Sequence, residues 1–299
     1  MSNLAAIRHP ISSLPVSAKI PVLGFPDWVG IDVMHNAVWI SNRDRNNIAR
    51  IEPATNTVAI EVTTGQGPCS GLAVGHGSVW VPCCPDREVV RVDQASNLVS
   101  ARIAISIGSS EGGIASDDHA VWMPADGGTK LVRIDPVQNI VAARLTMPAG
   151  SFTAATGFGA VWVSSSAKNL VTRVDAVANH VAATIPVGSK PRFLATGFGA
   201  VWTLNQGDGT VSRIDAASNK VVATIALETP GNGGDIATGA GAVWVTNLGT
   251  PLSRIDPATN QVTAQFVGAG GDALRVGLGA IWLCSFGLQQ VWRIDPSKI

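Results

Sequence analysis

The sequence has no tyrosine, only five histidines, and little charge: 14% of its 299 residues. Without tyrosine the chain lacks a common carbohydrate-stacking platform and a common catalytic acid. Its 21 basic and 21 acidic residues balance. That argues against a protein that tracks a nucleic-acid backbone, which needs a basic footprint. No apolar run approaches the ~20 residues of a membrane-spanning helix. The first fifteen residues, MSNLAAIRHPISSLP, have no basic start followed by an apolar stretch, so they do not read as a signal peptide.

Hydrophobic residues are abundant, at 46%, and 32 Gly and 17 Pro punctuate them. Such a chain buries a large core and turns often. The dipeptide Val-Trp (once Ile-Trp) recurs, with Trp39, Trp80, Trp122, Trp162, Trp202, Trp244 and Trp282 spaced by 41, 42, 40, 40, 42 and 38 residues. Ten or eleven residues after each Trp stands an Arg: Arg50, Arg91, Arg133, Arg173, Arg213, Arg254 and Arg293. Each Arg is followed by Ile or Val and then an acid, as in Arg133-Ile134-Asp135-Pro136. Seven matches to a two-part pattern identify an internal repeat.

Each repeat reads as four short strands. In the fifth they are expected over 193–196, 200–205, 211–215 and 221–225, separated by Gly-Phe-Gly and Asn/Ser-type turns. The expected fold is all-β: a seven-bladed β-propeller with four-stranded antiparallel blades. The repeated Trp is placed between neighbouring blades, where each buries roughly 150–250 Å², or about 4–6 kcal/mol gross. A residue present in every blade is architecture, which removes these Trp, Arg and Asp from the list of ligand contacts. The last repeat stops after its third strand, and the missing strand is at the other end: VSAKIPV (16–22) is similar to VAATIPV (181–187). The N-terminal strand therefore completes the last blade and closes two sheet edges. Residues 16–299 form one domain, and 1–15 are expected to be a poorly ordered leader outside the ring.

Units such as GFGAVWV and VTRVDAVANHVAATIPVGSKP resemble the YVTN-type repeats and the streptogramin (virginiamycin B) lyase-like propellers. The resemblance covers essentially the whole chain. It implies a periplasmic or secreted protein, although the start of the sequence shows no signal peptide. It also implies a site at one mouth of the ring, where the lyases are credited with catalytic His and Glu residues and a magnesium ion. Those positions lie just before the first strands and just after the second. Here they hold Val29, Ser70, Gly112, Phe152, Arg192, Gly234 and Asp272, then Asn42, Cys83, Ala125, Ser165, Asn205, Asn247 and Ser285. None is His or Glu. His35, His76 and His119 fall in turns at the opposite end, His180 in a turn between third and fourth strands, and His9 in the leader. The resemblance carries the fold and not the lyase chemistry.

Departures from the repeat locate what is particular to this chain. Seven residues before the repeated Trp, five blades have Ala, but blade one has Asp32 and blade seven Arg275. These blades meet at the closure, so the two charges are read as a salt bridge lining the channel or as a charged pair at the floor of a ligand funnel. Cys69 should face Cys83 or Cys84 across a hairpin, with Cys284 across the mouth. A disulfide from Cys69, a thiolate metal site and a nucleophilic Cys are the three readings. Asp27, Trp28, Glu111, Phe152, Arg192, Asp235 and Asp272, with Asn42, Asn205 and Asn247, are expected to furnish the funnel mouth. Asp27, Glu111, Asp235 and Asp272 offer oxygen ligands to a divalent cation, Mg²⁺ or Ca²⁺.

Three functions follow. The first is a ligand-binding or interaction propeller that takes a small molecule or peptide at the mouth, acting as a monomer. The second is a lyase or hydrolase, metal-assisted or not, in which Asp272 or Asp235 serves as base and Arg192 stabilises an oxyanion. The third is a structural interaction platform.

Overall fold

The computed structural model describes residues 4–107, 111–229 and 233–299, with the side chains of residues 4 and 5 left aside. Seven antiparallel sheets surround a central channel. Blade five shows the plan: Pro191–Gly197, Ala200–Asn205, Thr210–Asp215 and Lys220–Ala226, from the channel outwards. Blade seven takes its outermost strand from Val16–Pro21, which pairs antiparallel with Gln290–Ile294, so the expected closure is present. Among the described residues no helix is long and apolar enough to cross a membrane.

The leader differs from expectation. Arg8–Pro10 pairs parallel with residues 265–267 and gives blade six a fifth, outermost strand. The Arg8 guanidinium donates to Gln265 Oε1 at 3.0 Å, and the His9 ring lies 5.6 Å from that of Phe266.

The repeated residues explain why the blades stack. All seven Trp are fully buried, and each packs on the next blade; Trp162 of blade four, for example, meets Leu194 and Val201 of blade five. Five of the indoles donate to a glycine carbonyl in their own first hairpin, as Trp162 does to Gly157 at 3.1 Å. Trp39 has no such partner, because in blade one Asp32–His35 replaces the glycine turn. Four of the repeated Arg, Arg91, Arg173, Arg213 and Arg293, reach forward to the next blade's outer turn. Arg213 donates to Pro257 O at 2.8 Å and to Asn260 Oδ1 at 2.9 Å, and Arg293 does the same to Pro53 and Asn56. Asn260 and Asn56 hold the left-handed conformation these turns need. Asp135 and its equivalents cap the same turns by accepting backbone N–H groups. Trp, Arg, Asp and Asn thus form an inter-blade clamp that recurs at four of the seven junctions.

Candidate functional site

The first strands of all seven blades line a channel of about 320 Å³, walled chiefly by Ala, Val, Ile and Thr. Threonine hydroxyls stitch neighbouring first strands: Thr196 donates to Thr156 O at 2.8 Å and Thr238 to Thr196 O at 2.7 Å. At the end where the first strands begin lies a separate cavity of about 260 Å³. Phe25, Asp27, Trp28, Arg43, Glu111, Arg192, Phe193, Gly233, Gly234, Leu248, Asp272 and Phe286 line it.

Hydroxyls two residues beyond the repeated Trp hold this mouth in place. Ser41 Oγ accepts the Trp28 amide at 2.9 Å, Ser164 Oγ donates to Arg192 O at 2.6 Å, and Thr246 Oγ1 donates to Asp272 O. The side chains that differ from blade to blade are therefore mounted on backbone fixed by the strands beneath. Asn42 does similar work: it accepts the Phe25 amide at 2.9 Å and donates to Leu23 O.

Two carboxyls dominate the electrostatics. Asp27 is 4% exposed, and its side chain has no hydrogen-bond or ion-pair partner among the described residues. Burial, reinforced by the charges of Asp272 and Glu111, pushes it up to about 8, with Arg43 opposing. Asp272 accepts one hydrogen bond, from the Gly234 amide at 3.1 Å. Burial raises it to about 6, with Asp235 and Glu111 adding to the rise and the Gly234 amide and Arg192 opposing it. The arginines are committed elsewhere. Arg192 pairs with Glu111 at 3.2 Å, donates to Gln206 Oε1 at 3.3 Å and covers the Phe152 ring at 4.2 Å. Arg43 lies over Phe25 at 4.1 Å, and Phe25 stacks on Phe286 at 4.7 Å. Trp28 meets Phe193 at 5.5 Å, and its buried indole N–H has no acceptor.

Several expectations need correction. Asp32 and Arg275 do not pair. Asp32 ends its strand, where its own turn claims it: the carboxylate accepts the His35 amide at 3.0 Å and lies 3.0 Å from the His35 ring. Arg275 turns back one blade to Asp235 instead. Asp235 is 1% exposed and also accepts the Ile236 and Leu274 amides. Burial raises its carboxyl against the pull of Arg275 and those amides. It is a buried strut between blades six and seven, beneath the cavity rather than on its wall.

Asn42, Asn205 and Asn247 are buried and line no part of the mouth cavity. Asn205 bonds Thr210 and Ser212 inside blade five, while the Asn247 amide is buried without partners. Phe152 serves as the ledge for Arg192, and its neighbour Phe193 is the ring on the wall. Cys69 is disulfide-bonded to Cys84, and its carbonyl accepts the Glu111 amide, so the bridge supports one side of the mouth. Cys83 is a buried free thiol packed on Thr64, pushed up to about 12 by burial, and Cys284 is buried likewise. Neither has the thiolate character of a nucleophile.

The four acids do not assemble into a cation site. Among the described residues no group of three or more His, Cys, Asp or Glu side chains comes together as a metal ion requires. Glu111 turns to Arg192 and Asp235 to Arg275, which leaves Asp27 and Asp272 as two carboxyls without the third side-chain ligand of a built metal centre. The residues present do not fit the magnesium of the lyases.

Phe25, Arg43, Phe193, Leu248 and Phe286 were not foreseen. One signal in the sequence points to the rings: of only seven Phe, four (Phe25, Phe152, Phe193 and Phe286) gather at this one end.

The sequence matches no family model and no curated protein. Solved structures share the fold. A streptogramin B lyase is 15% identical with a TM-score of 0.76, over 95% of each chain. The selenomethionine-substituted virginiamycin B lyase from Staphylococcus aureus is 16% identical with a TM-score of 0.78, over 93% of this chain and 98% of that one. Kuenenia stuttgartiensis hydrazine synthase is 14% identical with a TM-score of 0.75, over 95% of this chain and 96% of that one. At these identities the likeness is one of fold.

Proposed function

We propose that this propeller is a binding protein whose ligand, a small molecule or a peptide side chain, sits in the funnel mouth. One observation carries the reading. The mouth cavity gathers residues that break the repeat, and among them Asp27 is buried on the wall without any partner. A carboxyl on so enclosed a wall is poorly hydrated, and a bound ligand is the natural source of the missing partner. The repeated Trp, Arg, Asp and Asn are accounted for by blade stacking, so they do not compete for this role. An interaction platform without a pocket leaves the unpaired carboxyl unexplained.

The enzyme reading keeps one observation in its favour. Two neighbouring carboxyls set apart, at about 8 and about 6, resemble an acid–base pair, with Asp27 as acid and Asp272 as base. Asp235 is too deeply committed to serve, and Arg192 would have to leave Glu111 to meet an oxyanion. Asp272→Asn separates the two readings: an enzyme loses turnover while retaining substrate, whereas a binding protein shows only altered affinity.

The test of the mouth itself is occlusion. Leu248 is an exposed residue on the cavity wall, so Leu248→Trp narrows the mouth without disturbing the core. In a fragment screen by saturation-transfer NMR, compounds that bind the native protein should lose their signal with L248W. Retention of those signals at full strength would place ligand binding elsewhere.

A further inference from the structure

The mouth has a chemical preference that goes beyond its being a ligand site, and the inference rests on that reading. We propose that it takes a protonated amine. A primary or secondary ammonium group would lie against Asp27 and Asp272, and a small apolar body against Trp28 and Phe193.

The charge balance favours a cation. Arg275 is held by Asp235, Arg192 by Glu111, and Arg43 lies on the Phe25 ring with Asp44 at 4.0 Å. Asp27 and Asp272 have no cationic partner of their own. The wall carries three carboxyls, Asp27, Glu111 and Asp272, against two guanidinium groups, Arg43 and Arg192, and with Glu111 and Arg192 paired to each other an ammonium still meets the acceptors of Asp27 and Asp272.

Hydrogen bonding points the same way, through an observation independent of charge. A carboxylate accepts up to four hydrogen bonds. Asp27, 4% exposed on the cavity wall, receives none, and Asp272 receives one. An ammonium brings donors only, which is the complement of these two carboxyls. Among the described residues no third His, Cys, Asp or Glu side chain joins these two in a metal-binding group, so an organic cation fits better than an inorganic one.

The aromatic faces supply the rest. Arginines already rest on these rings, Arg43 over Phe25 at 4.1 Å and Arg192 over Phe193 at 5.3 Å, so the faces are suited to positive charge. A cavity of about 260 Å³ lies just below the range of drug-sized pockets and suits an amine with one ring or a short chain. The cost of ionising Asp27 is also offset when a cation arrives. Binding should therefore release a proton and strengthen as pH rises towards 8, while the amine remains protonated.

The test uses three matched probes of one shape: 2-phenylethylammonium, neutral 2-phenylethanol and anionic 3-phenylpropionate. Each is titrated into methyl-labelled protein, with the Leu248 methyl signals as the report from the mouth. The ammonium should shift these signals saturably and bind at least tenfold more tightly than the alcohol, with no response to the carboxylate. Asp27→Asn and Asp272→Asn should each weaken the ammonium at least tenfold, while methyl signals away from the mouth confirm a native fold. Equal or tighter binding of the alcohol or the carboxylate, or an unaffected D27N, would overturn the amine class and leave the mouth as a ligand site. If none of the three moves Leu248, both the class and the mouth reading fall.

Discussion

Asp27 gives the account its most quantitative consequence. Its carboxyl is raised from an ordinary 3.8 to about 8 in the folded chain. Between those values the unfolded chain has released this proton and the folded chain still holds it, so folding becomes less favourable as pH rises. The loss begins above pH 4 and is complete once the folded carboxyl ionises near pH 8. Each pH unit in that window costs about 1.4 kcal/mol, so the full penalty is on the order of 6 kcal/mol at alkaline pH. Asp27→Asn is neutral at every pH and nearly the same shape, so it should recover most of that penalty. For a chain of this length, 1 kcal/mol moves Tm by about 2 °C. D27N should therefore melt together with the native protein at pH 4 and up to about 10 °C above it at pH 8.5. Thermal unfolding followed by circular dichroism from pH 4 to 9 measures both curves. A Tm difference that does not change with pH, or a D27N protein less stable than native at pH 8.5, would refute the burial of an unpaired carboxyl.

Other consequences are more local. Arg275→Met leaves the Asp235 carboxyl, 1% exposed, without its cation, so urea unfolding should show a loss of about 3–5 kcal/mol. The double variant D235N/R275M should recover part of it. The bridge between Cys69 and Cys84 spans 15 residues of sequence. Replacing both by Ser should cost about 3 kcal/mol, and intact mass with alkylation should find two reactive thiols only after unfolding, Cys83 and Cys284. Addition of Mg²⁺ or Ca²⁺, or of a chelator, should leave Tm within about 1 °C, since a ligand that binds only the folded state would raise it.

The propeller was legible because its constraint repeats. A Trp that packs on the next blade and an Arg that clamps the next blade's turn must recur at a fixed period, and seven recurrences are hard to mistake. The closure was legible for the same reason, since VSAKIPV carries the pattern of an outermost strand. Arg8–Pro10 was not, because it is three exposed residues with no alternation, recruited by pairing with the edge of blade six. The expected mouth residues Asp27, Trp28, Glu111, Arg192 and Asp272 do line the cavity, whereas Asp235 and Phe152 do not. The ladders between first and second strands shift register near the mouth, between Pro26 and Val29, Ser151 and Ala154, and Pro191 and Phe193. Such irregularities break strand alternation, and Phe152 lies under the Arg192 guanidinium while Phe193 lines the cavity. Asp32 and Arg275 show a different limit. Position in the repeat placed both at the inner strands, but each found a nearer partner: Asp32 in its own turn, Arg275 one blade back.

The most direct test of the mouth as the working site is a crystal of this protein soaked with a small fragment library that includes cationic, neutral and anionic members. The account predicts bound fragments in the cavity beside Asp27, Trp28 and Asp272, with amines foremost among them. Fragments found only at the opposite end of the ring, for example in the cavity beside Phe158 and Val177, with the mouth left empty, would contradict it.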